Sequence, residues 1–339
     1  MGKIITFGEV MLRLSPPGFD RFSQSNVLTM HFGGTEANVA VSLAQLGLDA
    51  AHVTRFPDHA LGRTAAGYLR RYGVDTQYIR YGSLPTGQAE GRLGLYFLET
   101  GAGSRASQII YDRADSAFAR IQTNDIDWEP ILTGADWFHW TGITPALSQG
   151  AADCLLAGIQ TANRLGVPVS GDIVYRSNLW QYGRRPQEIM PALTEGCTLV
   201  LGSKSLFSEL YGVVGSTFQE AGRALMRRFP TIRYVTDTKR TSVSASHNQL
   251  SAKIFNGSTV YRSRMHDIQP IVDRIGTGDA YVAGLIYGLL TFPADLQRAV
   301  EFGAAASALK HTIPGDVNLA TVTEIETLVR GDSSGKLRR

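Results

Sequence analysis

The sequence has only two cysteines, Cys154 and Cys197, in 339 residues. They stand in different apolar contexts and match no metal-ligand or redox spacing. That excludes a disulfide scaffold or a zinc module and leaves two reduced core thiols, so the cytoplasm is the expected compartment. Long apolar runs are also missing: no segment approaches the length of a membrane span, and no membrane partner is expected. The opening "MGKIITFGEVML" reads as a first strand rather than a signal peptide. Charge of one sign is scarce too, with 33 Lys and Arg against 30 Asp and Glu for a formal +3. The basic residues are scattered apart from the terminal "GKLRR", a solvated end, so no nucleic-acid partner is expected. There is no internal repeat and no low-complexity tract. Finally, "FGEVMLR" after the first strand lacks both G-x-G-x-x-G and an acidic residue at the usual spacing, which argues against a dinucleotide-dependent dehydrogenase.

What is present is a composition able to bury a large core, 43% hydrophobic with 36 glycines, and a recurring order of elements. Strand-like runs such as "KIITFGEV", "AAHVTRF", "ADWFHWTG" and "CTLVLG" alternate with helical stretches such as "TEANVAVSLAQLG" and "GAADCLLAGIQTANRLG". This alternation builds a parallel sheet with helices on both faces, an α/β fold. Two segments break the alternation, about 10–33 and 85–113. They lack helical periodicity and carry strand-like pieces, "GLYFLE" and "QIIYDR" among them. They are expected to pair into a separate small β-sheet, a flap over the ligand crevice at the carboxyl ends of the parallel strands.

Two glycine-rich stretches carry the chemistry. In "DRIGTGDAYVAG", Asp273 to Gly284, glycines leave backbone N–H groups unshielded just where a helix begins, and helix dipole and donors together favour phosphate oxygens. Asp279 at the junction is placed to accept a proton from a hydroxyl. Taken alone, the tetrapeptide Gly276 to Asp279 reads as an ordinary tight turn with an aspartate at the helix start. In "FGGTEANVAVSLAQLG", Phe32 to Gly47, a glycine pair precedes a helix with Asn38 near its start, a donor and acceptor for a polyol. Alone, Asn38 reads equally as a local hydrogen bonder.

Together, "GGTEANVA" early and "DRIGTGDAYVAG" late resemble the two defining patterns of the ribokinase-like (PfkB) carbohydrate kinases. The resemblance covers nearly the whole chain and narrows towards 2-keto-3-deoxygluconate kinases through "FGEVMLRLSPP", "GLYFLE", "YDRADSA", "WFHWTGITP" and "AAASALKHTIPGD". It implies one ribokinase-like domain over 1–339: a three-layer, Rossmann-like α/β unit with a small β-sheet lid that mediates homodimerisation. It implies transfer of the ATP γ-phosphate, with Mg²⁺, to a hydroxyl of 2-keto-3-deoxygluconate, giving the 6-phosphate. Asp279 then resembles the base, and Gly276, Thr277 and Gly278 the anion hole. Gly34, Asn38, Tyr96, Tyr111, Arg113 and Arg176 resemble the sugar-acid residues, the guanidinium groups suiting a carboxylate. Thr236, Lys239 and Arg240, in "TDTKR", resemble the end of a strand near the nucleotide, and the resemblance implies that Gly278 binds the nucleotide too. "HTIPGD", His311 to Asp316, resembles the adenine-side loop, where His311 reads equally as a packed histidine.

The chain departs from the pattern in two places. Relatives carry D-x-N-x-R where "GDIVYR" keeps Asp172 and Arg176 but has Val174 at the asparagine. They carry N-x-x-E, linked to the metal and phosphate network, where this chain has Ser203 and Leu206. Leucine offers Mg²⁺ no oxygen, so Glu209, near the same helical face, would have to substitute, or Lys204 would contact phosphate directly, and no metal ligand is assigned. Two readings follow: an active sugar-acid kinase, or a homologue that binds a sugar acid without efficient transfer, acting as a sensor or partner subunit. A kinase for another sugar is disfavoured by the two arginines.

Overall fold

Neighbouring residues of the first strand face opposite ways. Ile4 packs into one hydrophobic cluster and Ile5 into another, and the same split separates Trp137 from Phe138 and Leu199 from Val200. A sheet buried on both faces reads as continuous apolar runs, which is why these strands carry no polar alternation. The computed structural model describes residues 2–82 and 90–332. Its strands are β1 (Lys3–Phe7), β2 (Met11–Ser15), β3 (Thr29–Gly33), β4 (Asp49–Pro57), β5 (Ile79–Gly82), β6 (Gly94–Glu99) and β7 (Gln108–Asp112). They continue with β8 (Trp137–Thr141), β9 (Val169–Asp172), β10 (Leu199–Leu201), β11 (Tyr234–Ser244), β12 (His247–Phe255), β13 (Val260–Arg262) and β14 (His266–Ile268).

The large sheet runs β13-β12-β11-β10-β9-β8-β1-β4-β5, with β14 paired to β12. Every neighbour from β11 to β5 is parallel, and β12 to β14 add an antiparallel edge. Helices Gln149–Arg164 and Phe218–Arg228 cover one face, and helices Thr35–Gln45, Thr277–Thr291 and Leu296–Lys310 the other. This is the expected three-layer α/β arrangement. Both cysteines are buried and free within the first cluster, where burial pushes each thiol up to about 12.

The two segments that break the alternation supply a separate four-stranded sheet, β3-β2-β6-β7. β2 lies parallel to β6, and β3 and β7 flank them antiparallel. Residues 85–89 of the second segment, and the terminal "GKLRR", lie outside the described residues. One element differs from expectation. "TDTKR" does not end a strand, because β11 continues to Ser244, held by its antiparallel ladder with β12. That pairing is long-range backbone bonding, which a local reading of basic residues does not register.

Candidate active site

β1 sits where the sheet order reverses, between β8 and β4, and ligand crevices of open α/β sheets form at such switch points, beyond the strands' carboxyl ends. A cavity of about 410 Å³ opens there, lined by Glu9 after β1, Ile143 after β8, and Asp172, Val174 and Arg176 at and beyond the end of β9. Tyr96 and Tyr111 of the small sheet line it too.

Two helix N-termini meet at this cavity. Gly276 begins the helix Thr277–Thr291 with φ 79° and no side-chain cap, leaving first-turn N–H groups for an anion. A Cβ on Gly276 would stand 1.8 Å from the Asp316 carbonyl oxygen, so glycine is required both by the left-handed backbone and by the close approach. Gly34 begins the helix Thr35–Gln45, also without a side-chain cap. A Cβ there would stand 1.9 Å from the Glu9 carbonyl oxygen.

The two helices pack against each other and are joined at the cavity by one polar contact, in which Asn38 Nδ2 donates to Asp279 Oδ2 at 2.7 Å. Burial pushes the Asp279 carboxyl up to about 8; the Asn38 donor opposes this, and Asp172, Glu36 and Asp316 add to it by repulsion. A carboxyl tuned near neutrality is suited to general-base work. Asp172 is pushed up to about 7, mainly by burial and partly by Glu36. Glu36 is itself buried, its carboxylate accepting from the Thr35, Thr141 and Thr144 hydroxyls at 2.6, 2.8 and 2.8 Å.

The cavity thus brings together Gly34, Asn38, Tyr96, Tyr111, Arg113 and Arg176 with Gly276, Thr277, Gly278, Asp279 and Arg240. Their geometry differs from expectation in three respects. Arg113 Nε and Nη2 both donate to Glu9 Oε2, the first at 2.8 Å, so the fork expected to grip a sugar carboxylate is already engaged on a protein carboxylate. The Tyr96 hydroxyl donates to Asp316 Oδ2, leaving chiefly its ring, 5.8 Å from that of Tyr111, to face the cavity. Thr236 and Lys239 do not line the cavity. The Thr236 hydroxyl donates to the Lys253 carbonyl at 2.8 Å and meets the Tyr281 hydroxyl. Lys239 lies one residue from Arg240 on β11 and therefore faces the other side.

His311 is fully buried, contacting the Ser307 carbonyl at 2.8 Å and Asn248 at 3.2 Å, and is a packed histidine. Its loop ends at Asp316, against the Gly276 turn. Of the suggested stand-ins for the metal network, Lys204 donates to the Ser216 carbonyl at 2.9 Å, and neither it nor Glu209 lines the cavity. Ser203 caps its own helix, accepting from Leu206 N at 3.3 Å. Among the described residues no group of three or more His, Cys, Asp or Glu is arranged to hold a metal ion. Asp172 and Asp279 line the cavity as separate raised carboxyls, and neither belongs to a group that could hold Mg²⁺ by itself. Glu9, Glu36, Asp316 and Arg274 also line the cavity and were not singled out from sequence. Glu36 was open to discovery, lying between the glycine pair and Asn38, whereas Arg274 looks like a spacer.

A glycine-opened, uncapped helix start beside a buried carboxyl that accepts from an asparagine is an arrangement suited to phosphoryl transfer to a hydroxyl. Residues 1–321 match the pfkB family carbohydrate kinase model, and the chain belongs to that family of ATP-using carbohydrate kinases. It is 32% identical over 338 residues to the 2-dehydro-3-deoxygalactonokinase of Haloferax volcanii, covering 98% of each chain. It resembles the crystal structure of 2-dehydro-3-deoxygluconokinase from Thermotoga maritima at 41% identity and a TM-score of 0.90, covering 97% of this chain and 98% of that one. An ATP-bound fructokinase from Xylella fastidiosa shares the fold at 19% identity and a TM-score of 0.79, over 97% and 98% of the two chains. No helix among the described residues is long and apolar enough to cross a membrane.

Proposed function

We propose that this kinase phosphorylates a 2-keto-3-deoxy sugar acid, with 2-keto-3-deoxygluconate as the first candidate, at its 6-hydroxyl from ATP. The observation that carries the reading is the Asn38–Asp279 contact at the mouth of the uncapped Gly276 turn. Asp279 takes the hydroxyl proton as the new O–P bond forms. The bond from the γ-phosphorus to the bridging oxygen breaks, and ADP leaves with its electron pair, while the N–H groups of the Gly276–Gly278 turn meet the charge on the transferring group. Gly34, Asn38, Tyr96, Tyr111, Arg113 and Arg176 surround the sugar acid, with Arg113 held in place by Glu9. The galactonate epimer is the alternative substrate, since the relatives' names divide between the two sugars.

The small sheet acts as the lid and as the face through which two copies pair, as its exposed Met30 and Ile110, on the side away from the cavity, suggest. The buried free thiols fit a cytoplasmic location. ATP turnover with each epimer, beside an Asp279→Asn control, tests the reading. A second reading, binding without transfer, is favoured by Leu206 and by Ser203, which caps a helix instead of facing the cavity. Calorimetric binding of the sugar acid with no turnover across donors and metals would establish it.

A further inference from the structure

Arg176, Arg240 and Arg274 all line the cavity that holds Asp279. Yet none of the three forms an ion pair with any described carboxylate, whereas Arg13 and Arg55 each pair with two and Arg113 with one. Arg274 is held in place by neutral groups, its Nη2 donating to the Ser244 and Ala245 carbonyls at 3.3 and 3.2 Å. Arg176 makes only a long contact to the Tyr175 carbonyl at 3.4 Å. The side chain of Arg240 has no hydrogen bond within the described protein, and its guanidinium is depressed by burial and by repulsion from Arg274 and Arg176. Three like charges that reach one cavity with no carboxylate in ion-pair contact, Asp172 acting on Arg176 only at a distance, are unfavourable in the free protein, and an anion of more than one charge relieves that.

The position of the cluster indicates which anion. Arg274 lies two residues before the uncapped helix start at Gly276, and Arg240 reaches the same cavity from β11, across the sheet from Arg176. We infer that Arg240 and Arg274, beside the Arg176 of the sugar-acid site, form a cationic clamp for the terminal phosphates of the nucleotide, supplying charge where Ser203 and Leu206 supply none. This rests on the kinase reading for its nucleotide but not for its test, because binding of a polyphosphate is measured without turnover.

The experiment is calorimetric titration of inorganic tripolyphosphate, adenosine and 2-keto-3-deoxygluconate into the wild-type protein, Arg240→Gln, Arg274→Gln and the double variant. Arg274→Lys guards against a folding defect, since it keeps the charge if the loop at 244–245 needs tethering. Arg227→Gln, on an exposed helix face, is the charge control. Each glutamine variant is expected to weaken tripolyphosphate about 10- to 100-fold, the worth of one charge-assisted hydrogen-bonded group, with adenosine and sugar acid changing less than about 3-fold. The lysine variant and the control are expected to bind tripolyphosphate nearly as wild type does. Loss of sugar-acid affinity with tripolyphosphate unchanged would overturn the inference and assign the cluster to the substrate carboxylate. Wild-type affinity in all variants would overturn it outright. Wild-type protein that binds tripolyphosphate through these arginines but never turns over would sink the kinase reading alone.

Discussion

Asn38 and Asp279 are 241 residues apart in sequence and 2.7 Å apart in space, the asparagine donating to the carboxylate. Because the donor stabilises the ionised form, it holds the Asp279 carboxyl below where burial and its acidic neighbours would set it. Replacing Asn38 with alanine removes that restraint. The rising limb of kcat/KM against pH is therefore expected to move about 1–2 units to higher pH, since a hydrogen bond to a charged group is worth about 1.5–3 kcal/mol and one unit corresponds to about 1.4. An unshifted limb with a uniformly lower rate would mean that Asn38 serves the sugar alone.

In the wild-type protein the same carboxyl gives two opposed pH effects. With Asp279 as the proposed base, which must be ionised to act, kcat/KM is expected to rise with pH through about 8. Stability runs the other way. The folded carboxyl titrates near 8 and an unfolded one near 3.8, so between those values the folded state binds more protons and stability falls as pH rises. Asp279→Asn removes this group. The variant is expected to be inactive yet more heat-resistant than wild type, with a Tm advantage that grows from about pH 5 to about pH 8. Equal melting temperatures across that range would contradict the burial of the charge.

Sequence patterns revealed some of these residues and not others, for reasons that can be named. Asn38 and Asp279 each sit a few residues into a helix opened by glycine, so the local motif fixes their place. The small sheet was legible because about 10–33 and 85–113 lack a helical period. Arg240 and Thr236 lie on one face of β11, but four residues separate them, roughly 13 Å along a strand, and only Arg240 reaches the cavity. Lys239 lies on the opposite face. Which end of a strand overhangs a cavity depends on its register with β12, a long-range pairing. The Glu9–Arg113 contact crosses 104 residues and two sheets, and nothing near "YDR" indicates that the fork is taken.

The Gly276 turn tests the anion hole. Its φ of 79° suits glycine, and any Cβ would meet the Asp316 carbonyl oxygen at 1.8 Å. Gly276→Ala must shift the turn or the 313–316 loop. A drop in kcat of at least about 100-fold is expected, the cost of misplacing one anion-hole donor, with the sugar-acid Kd little changed. A variant that loses sugar affinity but keeps kcat would place the turn on the substrate side.

The outward face of the small sheet predicts assembly. Every residue of β7 is exposed, with Ile110 at 57% and Met30 on β3 at 48%, and uncovered sheet edges and apolar faces invite self-pairing. Light scattering is expected to give a dimer for the wild type and a monomer for Ile110→Lys. A wild-type monomer would remove the proposed role of this face.

Arg13 ties the small sheet to the Gly276 turn. It comes from β2 and is 4% exposed, and its Nη1 lies 2.8 Å from Asp273 and 2.9 Å from Asp316. Asp273 in turn accepts from Ile275 N at 3.0 Å and Gly315 N at 3.1 Å, so one guanidinium holds both backbone segments that shape Gly276. Removing one partner of a buried ionic network strands the others, at about 3–5 kcal/mol. Arg13→Met is expected to lose about that much in urea unfolding and to lower kcat more than the sugar-acid affinity, because the turn and not the sugar pocket loosens. Added guanidinium ion at low millimolar concentration would restore part of kcat in a smaller variant, Arg13→Ala, by refilling the site between the two aspartates. Loss of stability with kcat unchanged would make Arg13 a purely structural residue and uncouple the small sheet from the chemistry.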